Sequence, residues 1–283
     1  MSDLLCALKA GNLGQTLQLL QQAVRQQPAD TSKRVFLFQL LVVLGQWERA
    51  LTQLGVVAEL DVGALPMVNA YREAIRCERW REQAFADVRA PLLFGTPEPW
   101  MVQLIDALRL DAAGDVDAAA RLRSTAIASA PAVAGSINDA EFAWLADADP
   151  RFGPMLELIS NGNYYWLPMQ HIAQLQFEAP ADLRDQVWMP VMLTLTNGGK
   201  LPGFVPTRYP GSAASADDAL LLARRTDWVA QSADVQFGLG QRLFATDSTD
   251  YALMDTRTIN FMHNPKNPVP TAAPADGIEA HHG

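Results

Sequence analysis

Asp147 and Asp149, two residues apart with Glu141 nearby, are the carboxylates best spaced to hold Mg²⁺ or Ca²⁺ through oxygen. The stretch lacks the acidic alternation and glycine of a calcium loop, and Pro150 follows at once, so helix capping and loop solvation account for the pair. Asp217 and Asp218 read the same way, as carboxylates at the amino end of a helix. Ser212 follows a glycine in TRYPGSAAS but lacks the glycine pattern of a nucleophile elbow. His171 is the one histidine in the body of the chain apart from His263 near its end. Cys6 and Cys77 have no nearby histidine and read as small buried apolar groups. Gly238-Leu239-Gly240 is a lone G-x-G with no third glycine and no following helix, which speaks against a dinucleotide site. No catalytic, metal or cofactor-binding residue is assigned, and the chemistry points to an interaction protein and away from an enzyme.

The elements that hold these residues follow from composition and periodicity. The chain has 283 residues, 49% hydrophobic and 19% charged, which is soluble globular composition with room for about two domains. A formal net charge of −9 excludes the usual nucleic-acid binder, whose affinity needs Lys and Arg facing phosphates. No apolar run reaches the roughly 18 residues of a membrane span, and the first residues carry Asp3 without a basic region, so neither membrane insertion nor a secretory signal is expected. Two cysteines make no disulfide framework, which fits a reduced, cytoplasmic protein.

A 34-residue repeat organises the first part: Gly11-Asn12-Leu13 aligns with Gly45-Gln46-Trp47, and Leu17, Leu20 and Val24 with Leu51, Leu54 and Ala58. Gly114-Asp115-Val116 and Pro131 fall close to the same phase, and the pattern matches the tetratricopeptide unit of paired helices. A third unit, Pro66–Val88, has two helical stretches but Arg79 in place of the turn glycine, and Pro91, Gly95, Pro97 and Pro99 break the array before a fourth unit. After Pro131 the texture alternates. Glu141–Ala146 and Pro154–Ser160 read as short helices. Leu175 and Phe177, then Val191, Leu193 and Leu195, then Val235, Phe237 and Leu239, read as half-buried strands. Asn197-Gly198-Gly199 is a hairpin turn, and Pro202 and Pro206 demote the next run to an edge or irregular strand. Asp217–Val229 reads as one helix. The expected fold is α+β with two domains: a tetratricopeptide-like helical array over 1–131 and an α+β domain with an antiparallel sheet over 132–263. A disordered, proline-rich tail over 264–283 follows.

In such an array the first helix of each unit lines a concave groove that accepts a peptide or helix. The repeat register puts Val35, Gln39, Val42 and Val43 there, followed by Asn69, Glu73 and Arg76, then Met101, Leu104 and Leu108. These are the expected partner-binding residues. In the second half, Tyr164-Tyr165-Trp166 cannot all point inward on a strand, so at least one ring should lie near the surface.

The passages RVFLFQLLVVLGQWERALTQL (Arg34–Leu54), INDAEFAWLADADPRFGPMLE (Ile137–Glu157), NGNYYWLP (Asn161–Pro168), DLRDQVWMP (Asp182–Pro190) and PTRYPGS (Pro206–Ser212) resemble the ImpE/TagJ family, accessory proteins of bacterial type VI secretion systems. The resemblance implies a cytoplasmic, non-catalytic helper of the contractile sheath. Its implied partner is the small sheath subunit TssB, bound through that subunit's amino-terminal helix near the work of the recycling ATPase ClpV. It carries over no set of binding residues, so the groove stays a reading of the repeat. Two other readings stand beside it. One is an enzyme or a small-molecule or metal sensor using Asp147, Asp149, His171 or the aromatic run. The other is strand addition at an edge of the second half.

Overall fold

The computed structural model describes residues 2–232 and 234–262; the expected tail over 264–283, with His263, lies outside the described residues. Among these residues seven helices come first: α1 Ser2–Lys9, α2 Leu13–Gln26, α3 Thr31–Val43, α4 Trp47–Leu60, α5 Leu65–Phe85, α6 Pro99–Ala112 and α7 Val116–Ser129. The starts of α3, α5 and α6 fall 34 residues apart, as do those of α2 and α4. The turns have a common cause. Gly45 takes φ +65°, its amide bonds Val42 O at 3.1 Å, and the Gln46 amide bonds Leu41 O at 2.8 Å. That pair of bonds satisfies carbonyls left orphaned at a helix end, and it needs a left-handed residue that glycine supplies without strain. The same pair recurs at Gly11 and Gly114. Asn12 and Asp115 then cap the next helix through Gln15 N and Ala118 N.

The third unit departs from its expected two helices. With Arg79 where the glycine would be, nothing stops the helix, and α5 runs on unbroken for 21 residues. Its extra turns carry Glu78, Arg81 and Phe85 against the second half of the chain.

That half is mostly strand: β1 Leu92–Leu93 precedes α6, and β2 Gly135–Ile137, β3 Ala140–Phe142, β4 Leu145–Asp147, β5 Met155–Ser160, β6 Asn163–Pro168, β7 Ile172–Phe177, β8 Trp188–Leu195 and β9 Lys200–Pro206 follow α7. After them come α8 Asp218–Leu221, β10 Thr226–Ala230, β11 Gln236–Gly240, β12 Leu243–Thr246, β13 Asp250–Ala252 and β14 Thr258–Phe261. A nine-stranded sheet has the order β1-β6-β5-β9-β8-β7-β14-β2-β3, antiparallel except for β1 beside β6. Strands β13-β12-β4 and β10-β11 form two small sheets. The architecture is α+β, with strands following the helices.

Several local expectations are corrected. Glu141–Ala146 and Pro154–Ser160 are strands, not helices. Every residue of β5 is buried, because the sheet is covered on both faces, and a strand covered on both faces shows an apolar run without alternation. β9 is an interior strand between β5 and β8, not an edge. Its prolines are tolerated because its registered pairing with β5 is confined to Ile159 opposite Phe204. The helix expected over Asp217–Val229 stops at Leu221. Ala223 turns left-handed at φ +51°, and the chain leaves as β10 beside β11. The Asn197-Gly198 hairpin forms as expected, with Gly198 at φ +83° and Leu195 N bonding Gly199 O at 2.8 Å.

The helices lie on one face of the large sheet. Phe38, Leu41, Trp80, Met101 and Leu104 share one apolar cluster with Ile159, Tyr164, Trp166, Trp188 and Tyr209. Leu156, Leu158 and Leu167, alternating with them along β5 and β6, point to a second cluster that includes Leu145 and Phe244 of the small sheet. Tyr164 and Trp166 are fully buried while Tyr165 is half-buried against Phe94, so the three aromatics divide between faces as strand geometry requires.

Candidate functional site

The expected groove is closed by the chain's own sheet. Val42, Val43, Met101 and Leu104 have no exposed surface, and Leu108 and Gln39 are buried. A side chain without accessible surface contacts no partner docked on the folded protein, so these six are core residues here. The second half reaches α3 directly: Arg208, just past β9, donates Nη1 to Val43 O at 2.7 Å and to Leu221 O at 2.8 Å. The Trp188 ring lies 6.1 Å from Trp47 and 5.8 Å from Tyr71. Of the remaining positions Val35 is half-buried, whereas Asn69, Glu73 and Arg76 are exposed along α5.

The same junction holds most of the buried charge. Glu157 extends from the helix-facing side of β5, and Arg81 of α5 meets it with two bonds, Nε to Oε1 at 2.6 Å and Nη2 to Oε2 at 2.8 Å. Arg242 bridges Glu157 and Asp147. Tyr164 donates its hydroxyl to Glu157 at 2.5 Å, and Tyr209 donates to Asp147 at 3.0 Å. Glu78 accepts the Trp188 indole N–H at 3.0 Å and lies 3.5 Å from Arg81. Asp149 pairs with Arg151 and accepts the Gly238 amide at 2.8 Å. Four carboxylates (Glu78, Asp147, Asp149, Glu157) thus face four guanidiniums (Arg81, Arg151, Arg208, Arg242), all at 8% exposure or less. Burial raises the Glu157 carboxyl, but Arg81 and Arg242 outweigh it and hold it below its ordinary value. At Asp147 burial outweighs Arg242 and pushes the carboxyl up to about 7. Burial also raises Glu78 and lowers Arg208 to about 10.

These pairings decide the chemistry-bearing candidates. Asp147 and Asp149 are held by arginines at 4% and 0% exposure, which leaves their oxygens no room for an incoming cation, and Glu141 stands apart on the surface. Among the described residues no three His, Cys, Asp or Glu side chains are grouped to hold a metal ion. Buried Ser212 donates its Oγ to Tyr209 O at 2.6 Å and accepts the Gly240 amide at 2.8 Å. It is a turn staple. His171 is buried in the turn before β7. Cys77 is buried, with its thiol pushed up to about 12 by that burial, while Cys6 is exposed, contrary to expectation. Sequence reasoning missed Glu157, Arg81 and Arg242. The available signal was the lone charge within the apolar run MLELIS.

The exposed surface offers two enclosed hollows beside α5. One, of about 320 Å³, has Phe85, Tyr209 and Pro210 as walls above Glu78, Arg81 and Arg208. The other, of about 370 Å³, lies between α5 and the ends of β5, β8 and β9, where Glu73 and Glu178 rim an apolar floor. No described helix is long and apolar enough to cross a membrane.

Fold and site together define an α+β protein whose helices dock on a large sheet through an apolar core and buried ion pairs. Known proteins resemble the chain in sequence and in fold. Residues 139–260 match the family model described as ImpE protein. The chain is 50% identical over 254 residues to the type VI secretion system accessory component TagJ of Pseudomonas aeruginosa, covering 90% of this chain and 89% of that one. The crystal structure of protein VPA1032 from Vibrio parahaemolyticus superposes with a TM-score of 0.85 at 27% identity, over 93% of this chain and 99% of that one. The chain belongs to the ImpE/TagJ family of type VI secretion accessory components.

Proposed function

We propose that this protein is a cytoplasmic, non-catalytic adaptor that captures the amino-terminal helix of the small contractile-sheath subunit TssB and works beside ClpV-dependent sheath recycling. The observation that carries the reading is the 50% identity to the accessory component TagJ along nearly the whole chain. The geometry supports it: the carboxylates suited to catalysis or metal binding are spent on structural pairs, whereas Asn69, Glu73 and Arg76 stay exposed beside an apolar hollow. In this reading residues 1–131 are a tetratricopeptide-like unit whose concave side has been taken over by 132–263. The partner then docks on the rim where the two units meet, not in the concavity.

The test is a pull-down of the small sheath subunit with the full chain, with and without the subunit's first helix. Capture of the intact subunit and loss on deleting the helix is the expected outcome. Undiminished capture without the helix overturns the helix-binding mechanism.

A further inference from the structure

Acidic and apolar side chains meet at the hollow between α5 and the sheet. Glu73 of α5 and Glu178, just past β7, stand exposed on its rim. Neither carboxylate has an ion-pair or hydrogen-bond partner among the described residues. The floor is apolar: Ile159 is buried at 2% exposure, Phe204 and Pro202 line the side, and Met192 stands 39% exposed. Arg76, one turn beyond Glu73, donates Nη2 to Gly162 O at 2.8 Å and forms no ion pair with Glu73.

We propose that this hollow is the seat of a partner segment carrying a lysine or arginine next to a large apolar side chain. The apolar group enters between Ile159, Met192 and Phe204, and the cation lies between Glu73 and Glu178. A volume of about 370 Å³ takes one or two large side chains. Charge complementarity selects this occupant. The chain carries a formal −9, which draws a basic segment toward it from a distance, and two carboxylates that form no ion pair among the described residues fix its orientation on arrival. The neighbouring hollow makes no such selection, because Glu78, Arg81 and Arg208 at its floor are already matched within the protein. A wider surface depression by Trp47 carries Glu48 and Glu82 together with Arg49 and Arg79, a mixed rim that favours neither sign.

This assignment rests on the capture of a sheath subunit proposed above, and it adds the site and the chemistry of recognition. The experiment measures binding of the intact small sheath subunit, and of a labelled peptide from its amino terminus, to the full chain in three forms: wild type, the double variant Glu73→Lys/Glu178→Lys, and Met192→Asp. Glu59→Lys, an exposed reversal on α4, is the control. The double reversal is expected to weaken binding roughly tenfold or more, Met192→Asp to weaken it as well, and Glu59→Lys to leave it unchanged, with all variants melting as the wild type does. Wild-type binding should also weaken as salt rises through the physiological range. Undiminished binding by the double variant overturns the site while leaving the capture reading intact. Failure of the wild type to bind the intact subunit overturns the capture reading itself.

Discussion

Glu157 and Glu73 are the same residue type in opposite settings: one is sealed at the junction of helices and sheet, the other open on its rim. Glu157 is fully buried, shared by Arg81 and Arg242, and hydrogen-bonded by Tyr164. Among the described residues the carboxylates of Glu73 and Glu178 have no ion-pair or hydrogen-bond partner. Charge taken out of water must be matched locally, so the interior network sets four carboxyl groups against four guanidiniums and serves structure. Charge left in water carries no such demand and remains available for recognition. A stability measurement and a binding measurement should therefore respond to opposite sets of substitutions.

The largest expected effect tests the interior half of that contrast. Glu157→Gln leaves two buried guanidiniums short of a counter-charge and should cost about 3–5 kcal/mol in chemical denaturation. A loss below about 1 kcal/mol would show that the network is not sealed. The pH dependence sharpens the same point. Because Glu157 is held below its ordinary 4.5, its contribution is present above that pH and is lost as pH falls. Asp147, raised from 3.8 to about 7, contributes fully below 3.8, and that contribution is lost as pH rises through about 7; Glu78 is shifted in the same direction. The melting midpoint should peak near the ordinary carboxylate values of 3.8 to 4.5, falling on the acid side as Glu157 is protonated and falling again as pH rises toward about 7. Asp147→Asn should flatten the alkaline limb, and Glu157→Gln the acid limb.

Smaller effects locate the junction. Gly45→Ala forces a left-handed alanine whose Cβ meets the Ala213 Cβ at 3.0 Å and its carbonyl oxygen at 3.2 Å. Gly114→Ala has the same backbone demand, φ +82°, but nothing within 4 Å. The first should cost about 2 kcal/mol and the second about 1 kcal/mol, the difference reporting how tightly the turn is docked on the second half. At the bottom of the scale, Glu73→Gln and Glu178→Gln should leave the melting midpoint unmoved. Mg²⁺ or Ca²⁺ should likewise produce no thermal shift, since the Asp147 and Asp149 oxygens are already bonded. A shift abolished by Asp147→Ala would reopen the metal-sensing reading.

Local rules were readable where a single residue decides the outcome. The left-handed glycines at 11, 45 and 114, the capping Asn12 and Asp115, and the Asn197-Gly198 hairpin each follow from the chemistry of one or two neighbours. Periodicity misled wherever both faces of an element were covered. MLELIS lost its alternation because β5 is buried on both sides, and it resembled a helix. Arg79 was legible as a missing turn, but its consequence, one helix of 21 residues in place of two shorter ones, depends on what α5 packs against.

The sequence by itself determined the spacing of the helices, the α+β class of the chain and the family. Each of these is written in short-range patterns that survive without a partner element. Tertiary structure alone decided that the residues expected to line a groove would be buried in the shared core, and that Arg81 and Glu157, 76 residues apart, would meet. A repeat register names which residues face a hollow but carries no information on what occupies it. An apolar surface lowers its free energy equally well against a guest or against its own chain.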